Sequence, residues 1–227
     1  GIINFEEYIM KKAVIFDLDG TLLNTLDDLA DSTNYALSRF GYPTRTIEEV
    51  RQFVGNGVAK LIERAIPEGK NNPNFEKCLA IFKENYAQNM YNKTAPYNGI
   101  IEMLSNLKSK GIKIAVVSNK FDLAVKELCK KYFEGFIDFA AGENEAQGIK
   151  KKPAPDTVIS VLNKFNFASE DAVYVGDSDV DLETAKNSGM PCISVLWGFR
   201  DKEFLAEHGA ERYAKTAEDV LRFVEEM

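Results

Sequence analysis

A chain of 227 residues, 45% hydrophobic and 28% charged, has ordinary globular composition, ample apolar material for a core and a length worth roughly 1.5 domains. Its formal net charge of −7 and pI near 5.0 argue against nucleic acid or an anionic membrane as a partner, since both need a basic footprint. Cys78, Cys129 and Cys192 are odd in number and far apart with no C-x-x-C pair, so a reducing cytoplasm is expected rather than a disulfide framework or a cysteine zinc site.

The opening "GIINFEEYIMKKAVIF" carries Glu6 and Glu7 where a signal peptide needs an apolar stretch, and no apolar run approaches the ~18 residues of a membrane span. Neither secretion nor membrane insertion is expected. The first strand signal is the apolar run ending at Phe16, followed by Asp17, Leu18, Asp19, Gly20 and Thr21. In an extended segment residues i and i+2 share a face, so the carboxylates of Asp17 and Asp19 are brought together while Leu18 turns away. For an isolated D-x-D the plain explanation is a solvated turn built on Asp-Gly. Next, Leu26, Leu29, Ala30, Thr33, Leu37 and Phe40 recur at helical spacing and stop at Gly41, a natural C-terminal cap. Thr46 and Glu49 match a capping box that opens a second helix, with "FVGNGVAKLIERAI" running on to Pro67. A third long amphipathic helix is marked by Phe75, Leu79, Phe82, Tyr86 and Met90. No strand is legible in this block.

From "APYNG" onward strands and helices alternate: helix "IIEMLSNLKSKG", strand "IKIAVVS", helix "FDLAVKELCKKY", strand "FIDFAAG", helix "APDTVISVLNKF", strand "AVYVG", a helix from Val180 to Ser188, strand "CISVL", and a last helix near the end. This alternation predicts an α/β fold with a doubly wound parallel sheet over residues 1–23 and 95–227, and an all-helical insertion over 24–94. Ligands of such sheets bind at the carboxyl ends of the strands. There the sequence places Asp17 and Asp19, then Ser118, Asn119 and Lys120, then Asp177, Ser178, Asp179 and Asp181, with Lys150, Lys151 and Lys152 entering another helix before Pro153. Each group alone has a bland explanation, a helix cap, a solvated lysine run or a turn; their convergence on consecutive strand ends does not.

Several carboxylates on one rim repel unless a cation lies among them, and all-oxygen ligands select a hard ion such as Mg²⁺. Mg²⁺ commonly partners a phosphate, which explains a hydroxyl donor at Ser118 and a lysine as point charge. An EF-hand reading of "DSDVDLETAKNS" fails, because Leu182 stands where glycine is required and Ser188 where glutamate belongs.

These motifs resemble those of the haloacid dehalogenase superfamily of phosphohydrolases over nearly the whole chain: "FDLDGT" its first, Ser118 its second, Lys152 before Pro153 its third, and "GDSDVD" its fourth. The resemblance implies that Asp17 attacks phosphorus to form an aspartyl-phosphate while Asp19 serves as acid and then base. It implies phosphate binding by Ser118, Asn119 and Lys152. It also implies Mg²⁺ held by Asp17, the backbone carbonyl of Asp19 and Asp177, with Asp181 bound directly or through water, and Asp179 facing solvent. Asp19 sets the chain apart from dehalogenase and phosphonate-cleaving members. The β-phosphoglucomutase-like members carry a histidine in the first cap helix, whereas the single histidine here, His208, reads as a surface helix residue.

The insertion, the "FVGNGV" loop and "GDSDVDLETAKNSGM" look most like phosphoglycolate phosphatases, with Asn24 departing from the acidic residue many relatives carry at the hinge. The expected substrate is a small phosphate ester, 2-phosphoglycolate first, its carboxylate received by the amides of Gly55, Asn56 and Gly57 or by Arg51 or Lys60. Alternatives are an inorganic pyrophosphatase, a sugar-phosphate or nucleotide phosphatase, a mutase, or a noncatalytic phosphate receiver. A monomer or homodimer is expected.

Overall fold

The computed structural model describes residues 10–227; the expectations resting on Glu6, Glu7 and the first nine residues of the core lie outside the described residues. In chain order the first half contains β1 (Ala13–Phe16), β2 (Leu23–Asn24), α1 (Leu26–Arg39), α2 (Ile47–Phe53), α3 (Val58–Ala65), α4 (Phe75–Asn89), β3 (Ala95–Pro96), α5 (Ile100–Ser109) and β4 (Lys113–Phe121). The second half contains α6 (Asp122–Phe133), β5 (Phe139–Glu143), α7 (Asp156–Phe165), β6 (Ala172–Gly176), α8 (Asp179–Asn187), β7 (Cys192–Val195), α9 (Lys202–Glu207), β8 (Arg212–Ala214) and α10 (Ala217–Glu226).

Six strands form one sheet in the order β5-β4-β1-β6-β7-β8, every neighbouring pair parallel. This is the doubly wound α/β arrangement that the alternation predicts. All four residues of β1 are fully buried, because a central parallel strand has helices on both faces and so reads as a continuous apolar run. Val14 and Phe16 join one apolar cluster with α5, α6 and α10, while Ala13 and Ile15 join a second with α7 and α8. Each buried Val, Ile or Phe there contributes roughly 1.5–3 kcal/mol relative to exposure. With β1 in the middle and the chain winding first to β4 and β5 and later to β6, β7 and β8, the ends of β1, β4 and β6 lie side by side at the topological switch point.

Between β2 and β3 the chain is helical. α1 ends in a Schellman arrangement, with Gly41 at φ +69°, its N–H donating to the Ser38 carbonyl and the Tyr42 N–H to that of Leu37. The Thr46–Glu49 capping box is formed at α2. The "FVGNGV" loop separates α2 from α3, with Gly55 and Gly57 at φ +120° and +90°. The connections in and out pair as a short antiparallel ribbon, Leu23 opposite Pro96 and Asn24 opposite Ala95. Buried Asp28 of α1 fastens this ribbon by accepting from the N–H groups of Lys93 and Thr94 and from the Thr94 hydroxyl.

Two-residue strands have no period to read, so this ribbon escapes sequence patterning. So do β8 and α9, where one last helix is expected. β4 also runs further than "IKIAVVS", carrying Ser118, Asn119 and Lys120 within the strand. Among the described residues no helix is long and apolar enough to cross a membrane.

Candidate active site

At the ends of β1, β4 and β6 the sheet presents Asp17, Asp19, Ser118 and Asp177 to one cavity, joined by Lys152 from the loop before α7 and roofed by Gly55, Gly57 and Val58 from the α2–α3 turn. Every one of the expected core residues is near this cavity, but they are not equally free to act.

Lys152 is the hub. Its buried ammonium contacts Asp17 Oδ1 and Asp181 Oδ1, each at 3.1 Å, the Tyr174 hydroxyl at 2.6 Å and the Val117 carbonyl at 2.9 Å. Burial alone lowers its affinity for a proton, yet Asp17 and Asp181 outweigh this and hold it charged, its pKa raised. Lys151 instead donates to the Asn56 carbonyl at 3.0 Å, and Lys150 is exposed. The register of the lysine run thus puts only its third member in the buried cluster.

Asp181 is placed by local chemistry. Ser178 and Asp181 form a capping box at the start of α8, so Asp181 Oδ2 accepts from the N–H groups of Asp177 and Ser178 and from the Ser178 hydroxyl. Its Oδ1 takes Lys152 and, at 2.7 Å, the Tyr174 hydroxyl. Both oxygens therefore carry donors. Asp177 is less committed, with Oδ2 accepting the Phe199 N–H at 2.9 Å and Oδ1 facing the Thr21 hydroxyl at 3.4 Å. Gly20 lets the first loop approach so closely: its φ is +81°, and a Cβ there would stand 2.1 Å from Asp177 Oδ2.

Burial and the Asp181 charge push Asp17 well above the usual carboxylate range, with Lys152 pulling back only in part. Asp177 is pushed up to about 7, by burial first and Asp181 second. Asp181 moves the other way: burial would raise it, but Lys152, the Tyr174 hydroxyl and the Asp177 N–H together hold it below its usual value. One ligand oxygen from each of Asp17, Asp177 and Asp181 lies within 4.8 Å of the others. Buried Asp177 and Asp181 beside half-buried Asp17, with Lys152 paired to two of the three, are an electrostatically overcrowded set, and their all-oxygen donors fit a hard divalent cation.

Asp19 also lines the cavity. Its Oδ1 accepts from the Thr25 hydroxyl at 2.5 Å and lies 3.0 Å from the ammonium of buried Lys120. Ser118 is buried, with its oxygen accepting the Lys120 N–H at 3.0 Å, which leaves the hydroxyl proton to donate elsewhere. Asn119 also lines the cavity, and its carboxamide is tied to the neighbouring loop. Its oxygen accepts from the Lys152 N–H, and its two N–H groups go to the Lys152 and Gly55 carbonyls, so the side chain fixes Lys152 at the cavity's edge. Asp179 is half-buried at the first turn of α8, and exposed His208 caps the end of α9.

The α2–α3 turn is held to the sheet by its carbonyls. Arg200, beyond β7, donates to the carbonyls of Arg51 at 2.7 Å and Val54 at 2.8 Å, where the carbonyl end of α2 favours a cation. Lys151 takes Asn56 and Asn119 takes Gly55. Arg51 and Lys60, expected as carboxylate receptors, pair instead with Glu48 at 3.1 Å and Glu63 at 2.9 Å within their own helices and do not line the cavity. The cations that do line it are Lys120, Lys152 and Arg200. Sequence reading leaves Arg200, Tyr174, Thr25 and Tyr86 without a role, since a lone Arg after "WGF" or a Tyr inside an apolar strand carries no local signal.

Comparison with known proteins agrees with this geometry. The family model described as haloacid dehalogenase-like hydrolase matches residues 14–195. Phosphoglycolate phosphatase 1 of Pseudomonas aeruginosa is 32% identical over 222 residues, 93% of this chain and 79% of the relative. Phosphoglycolate phosphatase of Aquifex aeolicus is 34% identical over 193 residues, 83% of this chain and 86% of the relative. A crystal structure from Lactobacillus delbrueckii subsp. bulgaricus, solved under the provisional name phosphoglycolate phosphatase, superposes with a TM-score of 0.91 at 37% identity, covering 96% of this chain and all of that one.

Proposed function

We propose that this chain, which belongs to the haloacid dehalogenase-like hydrolase family, is a Mg²⁺-dependent phosphatase that hydrolyses small phosphate monoesters through an aspartyl-phosphate on Asp17, with 2-phosphoglycolate as its preferred substrate. The observation that carries this reading is the placement of Asp17 at the switch point. One of its oxygens is held by the Lys152 ammonium, and Ser118, Asp19 and Asp177 surround the space before it.

In this reading Asp17 and Asp177 would offer carboxylate oxygens to the metal, Asp19 its backbone carbonyl and Asp181 an oxygen directly or through water, while Asp181 also anchors Lys152 and the loop. Bound there, Mg²⁺ supplies charge neutralisation for the carboxylates and for the phosphoryl oxygens. Ser118 and Lys152 hold the phosphoryl group in line with Asp17. An oxygen of Asp17 forms a bond to phosphorus as the ester P–O bond breaks, and Asp19 delivers its proton to the departing oxygen. Asp19 then takes a proton from the water that attacks phosphorus, and Asp17 leaves as a carboxylate. Residues 24–94 form the cap in this account and residues 1–23 and 95–227 the core, with the β2–β3 ribbon as the connection.

The substrate preference rests on the α2–α3 turn. Its carbonyls are occupied by Arg200, Lys151 and Asn119, and among the described residues the N–H groups of Gly55, Asn56 and Gly57 have no acceptor. A small carboxylate beside the phosphate, as in glycolate, matches these donors better than a nucleoside or a hexose. The partner is accordingly a small-molecule phosphate ester, and the acidic chain is expected to work in the cytoplasm.

A turnover panel tests this. 2-Phosphoglycolate is expected to give a higher kcat/KM than nucleoside monophosphates, hexose phosphates or pyrophosphate. Gly57→Val, forced into a φ of +90° with its Cβ 3.4 Å from the Asn119 carbonyl, is expected to raise KM for 2-phosphoglycolate. It should still allow phosphoenzyme to form from a small generic ester. A panel led by nucleotides or pyrophosphate would overturn the substrate and leave the phosphoryl chemistry standing.

A further inference from the structure

Lys120 is a buried cation that the phosphoryl chemistry does not account for. It follows Ser118 and Asn119 on β4, its side chain is 3% exposed, and its ammonium touches neither Asp17 nor Asp177. Instead it lies 3.0 Å from Asp19 Oδ1 and donates to the hydroxyl of Tyr86, over whose ring it also sits at 4.2 Å. Tyr86 belongs to α4, in the helical segment between β2 and β3; it stacks on Phe82 and meets Phe121 edge-on. Thr25, at the start of α1, donates to the same oxygen of Asp19. Two donors, one from the sheet and one from the helical segment, thus converge on Oδ1. Among the described residues Oδ2 has no partner, and Asp19 lines the cavity.

We propose that Lys120 is a positioning residue for proton transfer: with Tyr86 of α4 behind it and Thr25 beside it, it clamps Oδ1 of Asp19 so that Oδ2 is the oxygen presented to the leaving group. This rests on the reading of Asp19 as the acid given above. A carboxylate anchored through one oxygen has one rotational setting, and an acid held within hydrogen-bond reach of the departing oxygen delivers its proton without first being reoriented. The proton passes from Oδ2 to the leaving oxygen as the P–O bond breaks, and a proton returns to Oδ2 from the attacking water. Lys120 neither gains nor loses one. Because Tyr86 is part of α4, the clamp is complete only when the helical segment is seated on the sheet, which ties the setting of the acid to the seating of the cap.

The test is the leaving-group dependence of kcat/KM, which reports the steps up to phosphoryl transfer and not the later hydrolysis. Alkyl phosphates need a proton on the departing oxygen, whereas p-nitrophenyl phosphate departs without one. Lys120→Met, which keeps the length and removes the charge, is expected to lower kcat/KM for an alkyl phosphate at least ~10-fold more than for p-nitrophenyl phosphate. Tyr86→Phe, which keeps the ring and so spares the fold, is expected to show the same selectivity at smaller amplitude, with its effect largely absent in the Lys120→Met background. Equal losses on both esters in these two variants would overturn the clamp. Asp19→Asn run beside them separates the two claims: if it loses the alkyl ester selectively and Lys120→Met does not, only the role of Lys120 falls. If Asp19→Asn is itself unselective, the reading of Asp19 as the acid falls first.

Discussion

Asp17→Asn is expected to reduce turnover by on the order of 10⁴-fold or more, down to background, because it removes the attacking oxyanion while keeping the side-chain shape. Stability should not suffer. Asp17 is a half-buried carboxyl raised in pKa by desolvation and by Asp181, so replacing it with a neutral isostere relieves repulsion within the cluster. The carboxamide oxygen can still accept from Lys152, 3.1 Å away in the wild-type protein. The expected pair of results is therefore a dead enzyme with an unchanged or higher midpoint of thermal unfolding, read by phosphate release and calorimetry. Retained turnover in the variant would remove Asp17 from the role of nucleophile.

Lys152→Met is expected to damage both activity and fold. The ammonium offsets Asp17 and Asp181 together and satisfies the Val117 carbonyl and Tyr174 hydroxyl, with its side chain only 3% exposed. Removing one partner of a buried ion pair leaves uncompensated charge behind, and such losses cost about 3–5 kcal/mol. Urea denaturation should register that loss, and turnover should fall with it because Asp17 and the phosphoryl group lose their shared cation. The neighbours provide the contrast. Lys150→Ala alters an exposed side chain, and Lys151→Ala removes one hydrogen bond to the Asn56 carbonyl and a solvent-exposed pairing with Glu145, so both should retain most activity and stability. If Lys151→Ala proved the more damaging substitution, the assignment within the lysine run would be displaced by one residue.

What could be read from sequence was whatever leaves a local trace. The sheet was legible because buried parallel strands are short, unbroken apolar runs, and the residues following β1, β4 and β6 could be named before any fold was known. The third lysine was legible because Pro153 fixes its place. Asp181 was legible as a site residue, whereas its contacts with Lys152 and Tyr174 were not.

The features that escaped are those created by distant segments meeting. Arg200 grips carbonyls 146 to 149 residues earlier in the chain, and Asn119 and Lys152 close on one another across 33. Tyr86 reads as one more apolar position on an amphipathic helix, and only the approach of α4 to β4 gives its hydroxyl the Lys120 ammonium. The turn between α2 and α3 left a local trace in Gly55 and Gly57, but the Arg200 and Lys151 side chains that hold its carbonyls left none.

The central claim is a covalent phosphoryl group on Asp17, and rapid acid quench of the enzyme during turnover of 2-phosphoglycolate with Mg²⁺, followed by peptide mass spectrometry, tests it most directly. The account predicts a phosphoryl adduct on the peptide containing Asp17, absent when chelator precedes substrate and absent in Asp17→Asn. It also predicts that the adduct accumulates when its hydrolysis is slowed in Asp19→Asn with a good leaving group. Steady release of phosphate with no adduct on Asp17 at any quench time, in either the wild-type protein or Asp19→Asn, would contradict it.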